Sequence, residues 1–162
     1  MVMICNDLQG VSEAVFPSGI VLDTWRPGDE EEWLRIHLIS DFYNDFTSET
    51  FCRQYGHDER EWARRLLFLR VIDGPTIGTA GAWFSDNWRG ESWGRLHWVA
   101  IIPEYQGRGL ARPMVGAALQ RLRDLGHTRA YLTTNSVRAL AIRLYETFGF
   151  REVSATPEEA AD

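Results

Sequence analysis

A chain of 162 residues with 44% hydrophobic and 25% charged side chains can bury a real core within one domain. A disordered linker and a disulfide miniprotein are excluded. Seventeen positive against twenty-three negative side chains give a formal charge of −6, the wrong sign for a broad basic surface that grips nucleic acid or anionic lipid. Every positive side chain is Arg and none is Lys, which removes a Walker-type phosphate loop, a Schiff-base enzyme and any Lys nucleophile or base.

Cys5 and Cys52 form neither a CxxC pair nor a His/Cys metal cluster, and the chain has no Asn-x-Ser/Thr acceptor. No metal is expected, and a reduced, cytoplasmic setting is the simplest reading. The stretch Met1 to Asp7 lacks the basic start and apolar core of a leader. No segment approaches the run of about 18 apolar residues that spans a membrane.

In chain order, residues 1–18 end in the turn signal Phe16-Pro17-Ser18-Gly19 and read as a loosely packed arm or an added edge segment. Ile20 to Arg26 reads as a strand. Pro27-Gly28-Asp29 then leads into Glu30-Glu31-Glu32-Trp33, acids suited to the first turn of a helix. A second helix is expected around Asp58 to Leu67, followed by a strand to Ile72, a break at Asp73-Gly74-Pro75 and a return strand from Thr76 to Phe84, a hairpin. Asp86 to Glu91 reads as a polar loop and Trp93 to Ile102 as a strand. Leu110, Met114, Ala118, Leu122 and Leu125 make an amphipathic helical stripe that Gly126 can stop. Ala130 to Thr134 is a short buried strand. Leu140, Leu144 and Phe148 mark a last helix ending at Gly149, Phe150 to Val153 a last strand, and 155–162 a loose acidic tail. The order predicts one α/β domain over 19–154, a mixed sheet flanked by helices, antiparallel first and with a parallel crossover later.

The chemistry concentrates in Pro103-Glu104-Tyr105-Gln106-Gly107-Arg108-Gly109-Leu110-Ala111, between a strand and a long helix. Backbone amides at a helix start have no internal partners, and two glycines permit close approach of an anion. Arg108 and Arg112 add charge. Pro113 cannot donate within the helix and so belongs to its first turn. A dinucleotide fold would need Gly where Arg112 stands, and a further βαβ half for which too little chain remains.

From Leu96 to Arg151 the chain resembles the acetyl-CoA core of the GNAT N-acetyltransferase superfamily. The family's Gln/Arg-x-x-Gly-x-Gly/Ala signature is matched by Gln106-Gly107-Arg108-Gly109-Leu110-Ala111, and a second block by Asn135, Ala141, Tyr145, Gly149 and Phe150. The resemblance implies the GNAT fold, with a splay in its central sheet and acetyl-CoA as cosubstrate. It also implies that the loop, with Arg112, wraps the pyrophosphate, that the backbone of Val99, Ala100 and Ile101 pairs with pantetheine, and that Asn135 contacts the cofactor. A cap for the following helix is the other role open to Asn135.

Direct transfer needs a deprotonated amine, an oxyanion donor and a proton for the departing thiolate. The family often places a Tyr near the cofactor sulfur, which points to Tyr145 as acid or as a positioning hydroxyl. His97, on the strand before the loop, is the candidate base or else a satisfied core or edge histidine, with Glu91 and Glu104 as weaker candidates. Alternation puts His97, Val99 and Ile101 on one strand face. Cys52 reads as a buried structural thiol. Ten acids against three arginines between Asp29 and Glu61 form either a lid favouring a cationic amine acceptor or a solvated acidic face. The expected activity is N-acetylation of a primary amine on a small molecule or protein, and the alternative is a non-catalytic acyl-CoA sensor. Family members usually end with two strands, but only about twelve residues follow Phe150, so the N-terminal arm or a partner subunit is expected to supply the missing one. A homodimer stays open.

Overall fold

The computed structural model describes residues 1–160. In chain order its elements are β1 (Val2–Cys5), β2 (Ile20–Thr24), α1 (Asp29–Ser40), α2 (Thr50–Tyr55), α3 (Glu59–Arg65), β3 (Leu66–Val71), β4 (Thr76–Trp88), β5 (Glu91–Ile101), a 3-10 turn (Pro103–Tyr105), α4 (Ala111–Asp124), β6 (Ala130–Thr133), α5 (Ala139–Thr147) and β7 (Arg151–Val153). The seven strands form one mixed sheet in the order β2-β3-β4-β5-β6-β1-β7, with β5 and β6 parallel. Among the described residues no helix is long and apolar enough to cross a membrane. The chain divides into two compact units, one of residues 1–13, 82–97 and 116–162, the other of 14–81 and 98–115.

In the second unit β2 and β4 flank β3 on either side, both antiparallel. The apolar run Leu66 to Leu69 is buried throughout, as expected of a central strand covered on both faces. Arg70 closes that run and is itself buried. Its guanidinium forks onto Asp29 at 3.0 and 2.7 Å, at the first residue of α1, and also reaches Thr76 Oγ1 at 2.9 Å. The helix start is thereby fixed to the strand, and removal of either partner would strand a buried charge. Trp33 and Ile36 on α1 are fully buried. The six-residue α2 was not foreseen from the sequence. Its residues are mostly weak helix formers, and rings hold it instead, with Phe51 and Tyr55 packing edge-on against Trp33 at 5.5 and 5.9 Å.

In the first unit the loosely packed arm expected of residues 1–18 is instead an interior strand at its start. Residues Val2 to Cys5 pair antiparallel with β6, and Val2 to Ile4 with β7. Val2 and Met3 are each 1% exposed. The chain beyond is tied down too, for Leu8 N donates to Thr128 O at 3.0 Å and Arg123 of α4 donates to Val11 O at 3.1 Å. The N-terminal segment thus supplies the strand that lies between β6 and β7.

The polar loop expected over Asp86 to Glu91 shrinks to a two-residue turn, because Arg89 and Gly90 both take left-handed dihedrals, φ 52° and 85°, matched to strand twist. The C-terminal segment expected to be loose is held as far as Ala160. Arg89 donates to Ser154 O and to Glu159, both at 2.7 Å, and Thr156 and Glu159 bond reciprocally. The last two residues of the expected tail, 161–162, lie outside the described residues. Leu140, one of the residues that mark α5 in the sequence, is 82% exposed.

Candidate functional site

The Gly-rich loop lies in the second unit and keeps its amides free. Gly107 and Gly109 have φ of 73° and 76°, a left-handed region where a side chain is strained. Leu110 O accepts from Met114 N at 3.1 Å, which starts α4. The backbone amides of Gly107 to Ala111 have no hydrogen-bond partner among the described residues, and Gly107, Arg108, Gly109, Ala111 and Arg112 are all exposed. A row of unpaired N–H groups at the positive end of a 14-residue helix is suited to a phosphate. The Arg108 guanidinium lies 4.5 Å over the Tyr105 ring. Gln106 turns back and donates through Nε2 to Ile101 O at 2.7 Å, pinning the loop to the end of β5.

Alternation along β5 does not survive to its end. Trp98 has a φ of 49°, a conformation that costs a bulky residue about 1–2 kcal/mol. Packing supports it, since the indole meets Phe46, His37 and Trp33 at 5.3, 5.5 and 6.1 Å, and its Nε1 donates to Gln54 Oε1 at 3.0 Å. His97 therefore does not share a regular face with Val99 and Ile101 as the sequence pattern predicts. Pairing of β5 with β6 covers only Gly94 and Arg95, so Val99, Ala100 and Ile101 lie beyond that ladder. Val99 and Ala100 are half-buried and Ile101 is buried. The left-handed backbone of Trp98 is not legible in the sequence, because nothing in residue type marks it.

His97, Asn135 and Tyr145 belong to the first unit. His97 is buried, 6% exposed. Asn135 is exposed, and its Oδ1 accepts from Val137 N at 3.1 Å, so it shapes the turn before α5 while Arg138 occupies the N-cap position. Its side-chain amide N–H groups have no partner among the described residues. Tyr145 is half-buried on α5, with its ring 6.2 Å from Phe150. Burial pushes its phenol above the usual value of 10, against a smaller opposing pull from Arg138. It thus holds its proton across the neutral range.

Glu91 is paired with Arg129, and Glu104 is exposed in the turn before the loop. Cys52 is half-buried rather than buried. Cys5 is the buried thiol, its Sγ facing Asp7 O and Phe148 O at 3.3 and 3.5 Å, and burial raises its pKa. Several acids of the 29–61 region serve the fold. Asp29 holds Arg70, Glu30 accepts from Trp25, Glu32 pairs with Arg35, Asp41 and Asp58 cap turns, and Glu61 pairs with Arg64 and Arg65.

Comparison with known proteins bears on the fold and the family. A mycothiol acetyltransferase from Pseudarthrobacter chlorophenolicus is 29% identical over 143 residues, covering 85% of this chain and 44% of the relative. The chain thus spans about half the length of the curated relatives it matches. A GCN5-related N-acetyltransferase from Sphaerobacter thermophilus has the same fold at TM-score 0.76 and 21% identity, over 93% of this chain and 47% of that one. The Escherichia coli ribosomal-protein-S18-alanine N-acetyltransferase follows at TM-score 0.68 and 21% identity, over 83% of this chain and 79% of that one. The model of the Acetyltransferase (GNAT) family matches residues 36–150, which places the chain in that family.

Proposed function

We propose that the chain transfers an acetyl group from acetyl-CoA to a primary amine by direct attack in a ternary complex. The observation that carries this reading is the row of free amides from Gly107 to Ala111 at the start of α4, a site suited to the CoA pyrophosphate. Arg108 and Arg112 add positive charge, the backbone of Val99, Ala100 and Ile101 is available to pantetheine beyond the β6 ladder, and Asn135 offers its free amide.

In the reaction the neutral amine nitrogen attacks the thioester carbonyl carbon, and the carbonyl electrons move onto oxygen. Collapse of that tetrahedral species breaks the C–S bond. The nitrogen gives up its proton to His97, directly or through water, and the CoA thiolate takes one from Tyr145. Burial raises the phenol pKa and so keeps a proton on Tyr145 for the thiolate to take.

The test is calorimetric titration with acetyl-CoA and CoA, then free-thiol release from acetyl-CoA across a panel of amines. The panel includes small amines, the acceptor of the mycothiol acetyltransferases and an alanine-initiated peptide. Binding with amine-dependent thiol release is expected. Binding without release from any amine would favour an acyl-CoA sensor, and absence of binding would overturn the reading of the loop.

A further inference from the structure

One strand face in the first unit carries a charge that the fold leaves unanswered. A side chain at Gly94 would meet Leu122 of α4 at 3.1 Å, so Gly94 and Leu96 face that helix. By alternation Trp93, Arg95 and His97 face the opposite way, before the irregularity at Trp98. Three guanidiniums of this unit lie over aromatic rings, Arg129 on Trp93 at 4.1 Å, Arg89 on Trp88 at 4.6 Å and Arg95 on Tyr131 at 5.4 Å. Arg129 is neutralised by Glu91 and Arg89 by Glu159. Arg95 has no carboxylate partner among the described residues.

What surrounds Arg95 is a set of hydroxyls. Its Nη2 donates to Thr133 Oγ1 at 3.3 Å, and Arg95 and Ser85 both lie close enough to the Tyr131 hydroxyl to pull its pKa down against burial. The Arg95 Nε is buried with no partner. Burial pushes the Tyr131 phenol above its usual value, so the ring stays neutral and supplies no counter-charge. Glu159, the acid whose field reaches Tyr131, is already clasped by Arg89. A guanidinium desolvated on one side, anchored by stacking and lacking an anion is a receptor for one.

We propose that Arg95, with Thr133 beside it, binds a carboxylate on the acceptor, so that the substrate class is an amine bearing a carboxylate several bonds away. The inference rests on the transferase reading with His97 as base. Two residues along a strand separate Arg95 from His97, about 7 Å, the scale of a short amino acid chain between its amine and its acid. Charge-assisted hydrogen bonds of this kind favour the acid over its neutral amide by about tenfold or more.

The test compares kcat/KM for γ-aminobutyrate, δ-aminovalerate and ε-aminocaproate with their primary amides. At least one acid is expected to exceed its amide by about tenfold, a ratio that Arg95→Gln brings to near unity and Arg95→Lys restores in part. Acetyl-CoA affinity, measured for each variant, reports that the fold is intact. Equal rates for all acid and amide pairs in the wild type, or a ratio that survives Arg95→Gln, would overturn the proposal. Should no amine release thiol, the transferase reading fails, and calorimetric titration of the CoA-bound protein with glutarate and its diamide decides the subsite separately. Glutarate binding lost in Arg95→Gln would sustain the anion site, and no glutarate binding would end it.

Discussion

Arg70 and Arg95 occupy comparable places, each within a strand of the sheet, yet their surroundings are opposite. Arg70 is buried and meets Asp29 and Asp23 with two hydrogen bonds to the former. Arg95 is half-buried, stacked on Tyr131, with hydroxyls around it and no acid. A guanidinium whose charge is matched inside the protein belongs to the fold. One left unmatched at a partly open surface is available to a ligand.

Stability measurements should separate the two. Arg70→Gln leaves Asp29 buried without its partner and is expected to cost about 3–5 kcal/mol in urea unfolding. Arg95→Gln removes no carboxylate partner and should cost under about 1 kcal/mol. Equal losses for the two variants would erase the distinction.

The next largest effect is expected on the chemistry. Tyr145→Phe should lower kcat by about a hundredfold while the acetyl-CoA Kd stays constant. Because burial raises the Tyr145 pKa, the alkaline fall of the wild-type rate that belongs to this phenol should lie above the usual phenol range, and this limb should vanish in Tyr145→Phe. A parallel loss of acetyl-CoA affinity would reassign Tyr145 to positioning. At the loop, Gly109→Val puts a branched side chain at φ 76° with open space around it, so backbone strain and not a clash is the perturbation. About a tenfold loss of acetyl-CoA affinity is expected by calorimetry, and unchanged affinity would show that the left-handed geometry is dispensable.

The loop and the helix after it were legible in the sequence because both depend on local rules. Glycine marks left-handed dihedrals, Pro113 marks a first turn, and a four-residue apolar spacing marks α4. The fold's order from β2 to β7 followed from similar signals. What escaped depends on contacts distant in sequence. Nothing local in Val2 to Cys5 says that the strand will lie between β6 and β7. Thr50 to Tyr55 is helical because Trp33 packs on its rings. Arg95 sits in an apolar strand, Trp-Gly-Arg-Leu-His, where an unexplained charge was the available signal, but its lack of an acid is visible only once Glu91 and Glu159 have found Arg129 and Arg89.

The smallest effect concerns the Arg89 clasp on the C-terminal segment, the answered counterpart of Arg95. Hydrogen bonding from Arg89 holds the Glu159 carboxyl at about 2, below its ordinary 4.5. A carboxyl whose pKa is lower in the folded state adds stability that is fully present above the unfolded value and is lost as pH falls toward the folded one. The pair lies near the surface, so its contribution at neutral pH is about 0.5–1 kcal/mol, well short of what the shift alone would suggest. Glu159→Gln should therefore be less stable than wild type by that amount at neutral pH, with the gap closing between pH 4.5 and about 2. Comparing the two proteins by urea unfolding at a series of pH values measures it. A gap that persists unchanged at the acid end would mean that Glu159 acts through packing of the Thr156 turn, and that Arg89, like Arg95, carries a charge the fold does not need.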